Sequence, residues 1–74
     1  MYTIKVIDHR DGKPVYYAKV GIIYSGFFGG STRDIRTDRN GEAHFDYSNG
    51  RGKVYVNGNV CYEGEIEGRI VLYI

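Results

Sequence analysis

The sequence predicts a small all-β protein, an antiparallel sandwich of seven strands. The 74 residues include eight tyrosines and eleven glycines but only one proline, a composition that favours strands and tight turns over helices. Short stretches of alternating apolar and polar residues are separated by turn signals every ~8 to 12 residues, as in a sandwich. No stretch has the period of an amphipathic helix. An SH3-like or OB-like barrel is the alternative, because it is also built from short strands.

The first half of the chain predicts three strands. Apolar residues alternate with Thr3 and Lys5 at the start, as in a strand with one buried face. A turn at Asp11-Gly12 leads to a long second strand from about Val15 to Ser25, and a third strand is predicted from about Ser31 to Thr37. The inward-facing residues of the first two strands are predicted to be Tyr2, Ile4, Val6, Ala18, Val20, Ile22 and Tyr24.

The second half predicts four more strands. Asp38-Arg39-Asn40-Gly41 has the composition of a tight hairpin, in which Gly or Asn supplies the positive φ, and Asn57-Gly58 closes another turn. The last strand, Arg69 to Ile74, has apolar residues on both faces, which is typical of a central strand. Val60, Tyr62 and Ile66 are predicted to face inward from strand six. We expect one core built from Ile4, Val6, Ala18, Val20, Ile22, Ala43, Phe45, Val54, Val56, Tyr62, Ile70 and Leu72.

Composition and charge exclude several classes of protein. Ten basic residues are balanced by nine acidic ones, so no overall field attracts nucleic acid or an anionic membrane. Cys61 is the only cysteine, which excludes an internal disulfide. No signal peptide opens the chain and its apolar runs are short, so we expect no membrane insertion. Residues 1–74 are expected to form one β domain, cytoplasmic as written, or extracellular if it is excised from a larger exported protein.

Four segments resemble the carboxypeptidase regulatory-like domains, which belong to a wider group of Ig-like, transthyretin-like and collagen-adhesin B-type sandwiches. The segments are Val6-Ile7-Asp8, Gly12-Lys13-Pro14-Val15, Ala18-Lys19-Val20 and Thr37-Asp38-Arg39-Asn40-Gly41-Glu42-Ala43-His44-Phe45. The resemblance implies a seven-stranded sandwich that serves as a non-catalytic accessory module of larger, often exported proteins. In physical terms the last segment is a tight turn followed by two alternate core residues, so this motif specifies a fold and not an activity.

Catalytic and metal-binding patterns are weak. A hydrolase or transferase needs a nucleophile beside a base, paired carboxylates or a metal, and no such arrangement is visible in this sequence. His9, His44 and Cys61 are far apart in the chain and would meet only by an accident of folding. The turn at 38–41 echoes part of a calcium loop, but its first and twelfth positions would be Arg36 and Tyr47. We therefore expect no enzyme activity, no metal site and no cofactor.

Phe27 and Phe28 are the most conspicuous candidates for binding. They lie between Gly26 and Gly29 in a segment too rich in glycine for the interior of a strand. Two large apolar rings in such a loop are either a lid over the open end of the sandwich or an exposed anchor for a partner.

Tyrosines and arginines form the second set of candidates. Tyr16 and Tyr17 offer amphipathic rings suited to contact with protein or sugar. Arg33, Arg36 and Arg39 form a basic group in one predicted hairpin, which makes nucleic-acid binding by a small barrel an alternative. Acidic residues interrupt this group, and the aromatic signature of an RNA-recognition motif is missing. We therefore place Tyr16, Tyr17, Arg33 and Arg36 in a protein-binding site and do not expect nucleic acid as the partner.

Three functions remain open from the sequence. The leading hypothesis is a protein-interaction module that acts through the Phe27/Phe28 loop or through an exposed edge strand, as an adaptor or an inhibitor. Pairing of edge strands also allows a homodimer. The second hypothesis, implied by the resemblance, is a carbohydrate-binding or structural spacer domain of a surface protein. The third is a nucleic-acid-binding barrel.

Overall fold

A computed structural model describes residues 1–26 and 29–74 and confirms an all-β sandwich of seven strands in two sheets. The strands are β1 (Tyr2–Ile7), β2 (Lys19–Tyr24), β3 (Ile35–Arg36), β4 (Glu42–Phe45), β5 (Gly50–Val56), β6 (Asn59–Ile66) and β7 (Gly68–Tyr73). The described residues form no helix that is long and apolar enough to cross a membrane.

The strand order shows that the sheets are not wholly antiparallel. One sheet has the order β4-β1-β7 and the other the order β3-β2-β5-β6. β1 runs antiparallel to β4 but parallel to β7, with Tyr2 opposite Gly68 and Ile7 opposite Tyr73. The prediction that the last strand is central was therefore wrong, because β7 pairs only with β1 and lies at the edge of its sheet. Its apolar outward residues, Val71 and Tyr73, are exposed to solvent.

The core lies between the two sheets and confirms most of the predicted inward set. Its fully buried residues are Tyr2, Ile4, Val6, Ala18, Val20, Ile22, Ala43, Phe45, Val54, Val56, Ile66 and Leu72. Tyr62 and Ile70, predicted to be in the core, are half-buried and pack against its margin. Near the core the hydroxyl of Tyr2 lies 2.6 Å from that of Tyr24, which in turn donates to the Ser48 carbonyl. Burial and this hydrogen bond raise the pKa of Tyr2 above its ordinary value.

The second and third strands are shorter than predicted. β2 begins at Lys19 and not at Val15, because Tyr17 adopts a left-handed backbone conformation with φ +64° that no extended strand allows. β3 spans only Ile35–Arg36, and Ser31 makes a single isolated bridge to Ile23. The backbone N–H of Thr32 still donates to the Ile22 carbonyl, but the side chain of Thr32, and not a backbone carbonyl, accepts the N–H of Ile22, so the regular ladder is interrupted here.

Val60 was predicted to face inward, and this prediction was wrong. Its side chain is 51% exposed. A β-bulge shifts the register between β5 and β6, so that Val54 lies opposite Tyr62 while Tyr55 lies opposite Val60. The extra residue, Cys61, reverses the alternation of faces on its N-terminal side, so Val60 shares the outer face with Tyr55.

The two turns predicted in the second half of the chain are both present, but one joins strands of the same sheet and the other joins strands of different sheets. Asn57 and Gly58 have φ +51° and +87° and join β5 to β6 in a two-residue hairpin. The turn at 38–41 closes with a bond from the Gly41 N–H to the Asp38 carbonyl at 2.9 Å. This second turn leads from β3 to β4, which belong to different sheets. It is therefore a crossing between the sheets and not the hairpin of one sheet that the sequence predicts.

Candidate functional site

Two exposed tyrosines and two arginines from separate parts of the chain meet just before β2, and we call this group the Tyr–Arg surface. Its members are Tyr16, Tyr17, Arg36 and Arg39. The tyrosine side chains are 58% and 59% exposed, with ring centroids 5.8 Å apart. The guanidinium of Arg36 lies 4.6 Å from the centre of the Tyr17 ring, and that of Arg39 lies 5.4 Å from the centre of the Tyr16 ring. Both distances are within the range of cation–π attraction.

Thr37, the only buried polar residue among those described, holds the tyrosine turn in place. Its hydroxyl donates to the Val15 carbonyl at 2.6 Å and accepts the Ala18 N–H at 2.8 Å. Its backbone accepts the Tyr17 N–H at 3.0 Å and donates to the Ala18 carbonyl at 2.9 Å. Because these four bonds span residues 15–18, one buried side chain sets the conformation of the turn that carries both rings.

The backbone of Tyr17 is strained, and hydrogen bonds to neighbouring residues keep it in the strained conformation. A left-handed conformation costs about 1 to 2 kcal/mol for a residue with a Cβ, and such outliers persist only where the surroundings impose them. Here the Tyr17 N–H bonds to Thr37, and its carbonyl accepts Nη1 of Arg36 at 3.2 Å. The conformation of the turn that points both rings outward therefore costs folding free energy. Backbone strain of this kind is common at binding sites.

The Tyr–Arg surface carries uncompensated positive charge. Lys19 lies directly opposite Arg36 in the β2–β3 register, so two cations are neighbours on one face. Ion pairs in the described parts of the chain lie elsewhere, at Arg10, His44, Arg51 and Arg69. Asp38 follows in sequence, but its carboxylate accepts backbone N–H groups and faces His44. Together with the neighbouring Lys19, the Tyr–Arg surface thus offers three cations that have no ion-pair partner among the described residues.

The structure brings together three of the six residues predicted for binding. Tyr16, Tyr17 and Arg36 share the Tyr–Arg surface, whereas Arg33 lies apart, and its backbone N–H donates to the Tyr47 hydroxyl at 3.1 Å. Phe27 and Phe28 lie outside the described residues. The surface also includes Arg39, which the sequence suggested only for nucleic-acid binding. It is supported by the buried Thr37, which the sequence did not single out. The only sequence signal for that threonine is its place before the Asp-Arg-Asn-Gly turn.

A second polar group, formed by Asp38, Glu42 and His44, meets where the turn enters β4. Its facing ligand atoms lie within 4.8 Å of one another, with Nε2 of His44 3.7 Å from Asp38 Oδ2 and 4.0 Å from Glu42 Oε1. Bonds from the backbone N–H groups of Glu42 and Asn40 hold the pKa of Asp38 below its ordinary value. Such atoms could hold a divalent ion, but Arg69 already pairs with Glu42 at 3.1 Å. The group is therefore first a network of surface ion pairs.

The spacing of this group could have been read from the sequence. Glu42 and His44 are alternate residues of one strand and so share a face, while Asp38 opens the turn that precedes it. By sequence alone, Asp38 is a metal-ligand candidate only in the calcium-like loop, and His44 only together with His9 and Cys61.

The Cys61 thiol does not form a catalytic pair with His9 or His44. Nδ1 of His9 donates to the Ile74 carbonyl at 2.7 Å, and Nδ1 of His44 lies 2.9 Å from the Thr3 hydroxyl. The Cys61 thiol donates to the Asn59 carbonyl at 3.4 Å, in the other sheet. In the described structure each group thus bonds to a different part of the chain, and neither histidine is hydrogen-bonded to the Cys61 thiol.

Comparison with protein-family models, with curated proteins and with solved structures found no match to this chain. The resemblance to carboxypeptidase regulatory-like domains therefore rests on the four segments of sequence alone, and the function rests on the geometry of the surface.

Replacing Thr37 with valine is expected to lower the free energy of unfolding by about 2 to 6 kcal/mol. The change keeps the shape of the side chain but leaves the Val15 carbonyl and the Ala18 N–H without their partner, at ~1 to 3 kcal/mol for each buried unsatisfied group. Urea denaturation followed by tyrosine fluorescence measures the change. Thr37→Ser, which keeps the hydroxyl, should recover most of the loss. A Thr37→Val protein as stable as a Thr3→Val control would show that the hydroxyl does not hold the turn.

Proposed function

We propose that this protein is a non-catalytic binding module that recognises an acidic segment of a partner protein through the Tyr–Arg surface. The observation that carries the proposal is the pair of exposed tyrosine rings, each faced by an arginine that has no ion-pair partner among the described residues. Tyrosine and arginine are the residues most enriched at the energetic centres of protein interfaces.

The chemistry of this surface favours a ligand that is both acidic and partly apolar. A carboxylate of the partner can accept two N–H donors from one guanidinium, which a lysine could not offer. The tyrosine rings keep about three-fifths of their area exposed and can cover apolar side chains of the same segment. Because the buried Thr37 holds the turn in place, little side-chain and backbone entropy is lost on binding.

The proposal includes the family suggested by the sequence, the carboxypeptidase regulatory-like group of Ig-like and transthyretin-like sandwiches. Support comes from the seven strands in two sheets and from the burial of Ala43 and Phe45 directly after the Asp-Arg-Asn-Gly turn. Members of that group serve as accessory modules, which agrees with a surface built for contact and not for chemistry.

The substitution Arg36→Ala is expected to raise the Kd for an acidic peptide by roughly five- to thirtyfold, the equivalent of ~1 to 2 kcal/mol. The probe is a labelled peptide in which Asp and Glu alternate with leucine, titrated by fluorescence anisotropy. Tyr16→Ala should weaken binding to a similar extent, because its ring forms part of the same surface. Arg33→Ala is the matched control, since Arg33 is an exposed arginine outside the surface, and it should leave Kd unchanged.

Two results would contradict the proposal. Equal losses for Arg33→Ala and Arg36→Ala would show that the peptide follows general positive charge and not this site. Tighter binding of a single-stranded oligonucleotide than of the peptide, lost in the same variants, would assign the surface to nucleic acid.

A further inference from the structure

No strand among the described residues pairs with the outer edge of β7, where a row of backbone groups is open. Ile74 donates its N–H to the Ile7 carbonyl and accepts the His9 N–H, so its backbone groups point toward β1. Backbone direction alternates along a strand, and Ile70 and Leu72 therefore also point toward β1. Arg69, Val71 and Tyr73 turn their N–H and carbonyl groups the other way, to the open edge of the sheet.

This row is self-complementary. In an antiparallel pair of two β7 strands related by a twofold axis at Val71, Val71 faces Val71 of the second copy, and Arg69 faces its Tyr73. Each facing pair then exchanges two N–H···O bonds, since every residue with outward groups meets another such residue. All three N–H groups and all three carbonyls of each edge are satisfied in this one register.

We propose that β7 pairs with β7 of a second copy of this chain, forming a continuous six-stranded sheet with the order β4-β1-β7-β7-β1-β4. The side chains fit this arrangement. Val71 and Tyr73 lie on the outer face, 41% and 65% exposed, and the two valines would cover each other at the axis. No charge faces a like charge, because the only charged residue of the edge, Arg69, lies opposite a tyrosine.

The other edges are less suited to a second copy. β6 is the longest edge strand, but its C-terminal half carries the exposed residues Glu63 and Glu65, which would face acidic residues of the other copy. β3 has two residues and β4 has four, so each offers a shorter ladder than the six residues of β7. This surface is separate from the Tyr–Arg surface, so the proposal does not depend on the proposed function.

The test compares the same substitution at two exposed valines. Val71→Lys places two ammonium groups opposite each other at the axis and should raise the dimer dissociation constant by roughly fivefold or more. Val60→Lys makes the same change on β6, where Val60 is also about half exposed, and should leave dimerisation unchanged. Sedimentation velocity over a series of concentrations measures both constants, and thermal melting checks that each variant is folded.

Amide hydrogen exchange of the parent chain gives an independent readout that needs no variant. The amides of Arg69, Val71 and Tyr73 should become protected as concentration rises, whereas those of Ile70 and Leu72 should be protected at every concentration. A monomer at millimolar concentration would overturn the proposal. So would exchange at Val71 that does not depend on concentration, or an equal loss of dimer in Val60→Lys.

Discussion

Replacing Phe45 with alanine is expected to lower the free energy of unfolding by about 3 to 5 kcal/mol, the usual cost of removing a buried phenylalanine. Phe45 is 1% exposed and is among the largest fully buried side chains. Its ring stacks on Tyr2 at a centroid distance of 5.3 Å and meets Tyr47 at 6.2 Å, so the substitution removes contacts to both neighbours. Small domains have net stabilities of only ~5 to 15 kcal/mol, and the variant should be partly unfolded near body temperature.

Val60→Ala is the control for this prediction, because the sequence pattern predicts that both residues face inward and only Phe45 does. With half of its side chain exposed, Val60 should change the free energy of unfolding by no more than about 0.5 kcal/mol. Thermal and urea denaturation of both variants, followed by circular dichroism, measure the difference. A Phe45→Ala protein that melts within about 2 °C of the parent would show that the packing between the sheets is not as described.

A loss of about 2 to 5 kcal/mol is expected for Gly41→Ala, from two sources that add. Gly41 has φ +75°, a conformation that costs ~1 to 2 kcal/mol for alanine. An added Cβ would also lie 2.5 Å from the Val6 carbonyl oxygen and 3.1 Å from the Val15 nitrogen. Those neighbours are backbone atoms bonded to each other, since Val15 donates to Val6 at 2.9 Å, so they cannot easily move aside. Overpacking of this kind costs a further ~1 to 3 kcal/mol.

Gly12→Ala separates the two sources. Gly12 has nearly the same backbone angle, φ +72°, but no atom lies within 4 Å of an added Cβ. It should therefore show only the conformational cost, about 1 to 2 kcal/mol. The difference between the two variants in urea denaturation measures the cost of the close approach at Gly41. Equal losses would mean that the crossing turn between the sheets has room to relax.

The Tyr–Arg surface illustrates what a linear pattern can and cannot predict. Tyr16 and Tyr17 were candidates because of their ring chemistry, and Arg36 because of its charge. Nothing local indicates that Arg36 would lie over Tyr17, since the two are brought together by the β2–β3 pairing and by Thr37. Arg33, only three residues away, was an equally good candidate by composition and lies outside the surface.

The errors at Val60 and at the start of β2 have one physical origin. The predicted faces follow strict alternation, and alternation fails wherever a residue leaves the regular ladder, as Cys61 does at the bulge and Tyr17 does before β2. Neither residue type predicts a break in the ladder, because cysteine and tyrosine are both compatible with a strand. The departure from the regular ladder is imposed by the neighbouring residues.

The sequence by itself determined the all-β class, the positions of the glycine turns and nearly all of the buried core. These features depend on local requirements, a period of two for a half-buried strand and a positive φ at tight turns, which residue types satisfy directly. The tertiary structure decided the parallel pairing of β1 with β7, the open edge of β7 and the assembly of the Tyr–Arg surface. Each of these three features depends on contacts between segments about twenty to sixty residues apart in the chain. The packing of the whole sandwich determines these contacts, and no local pattern predicts them.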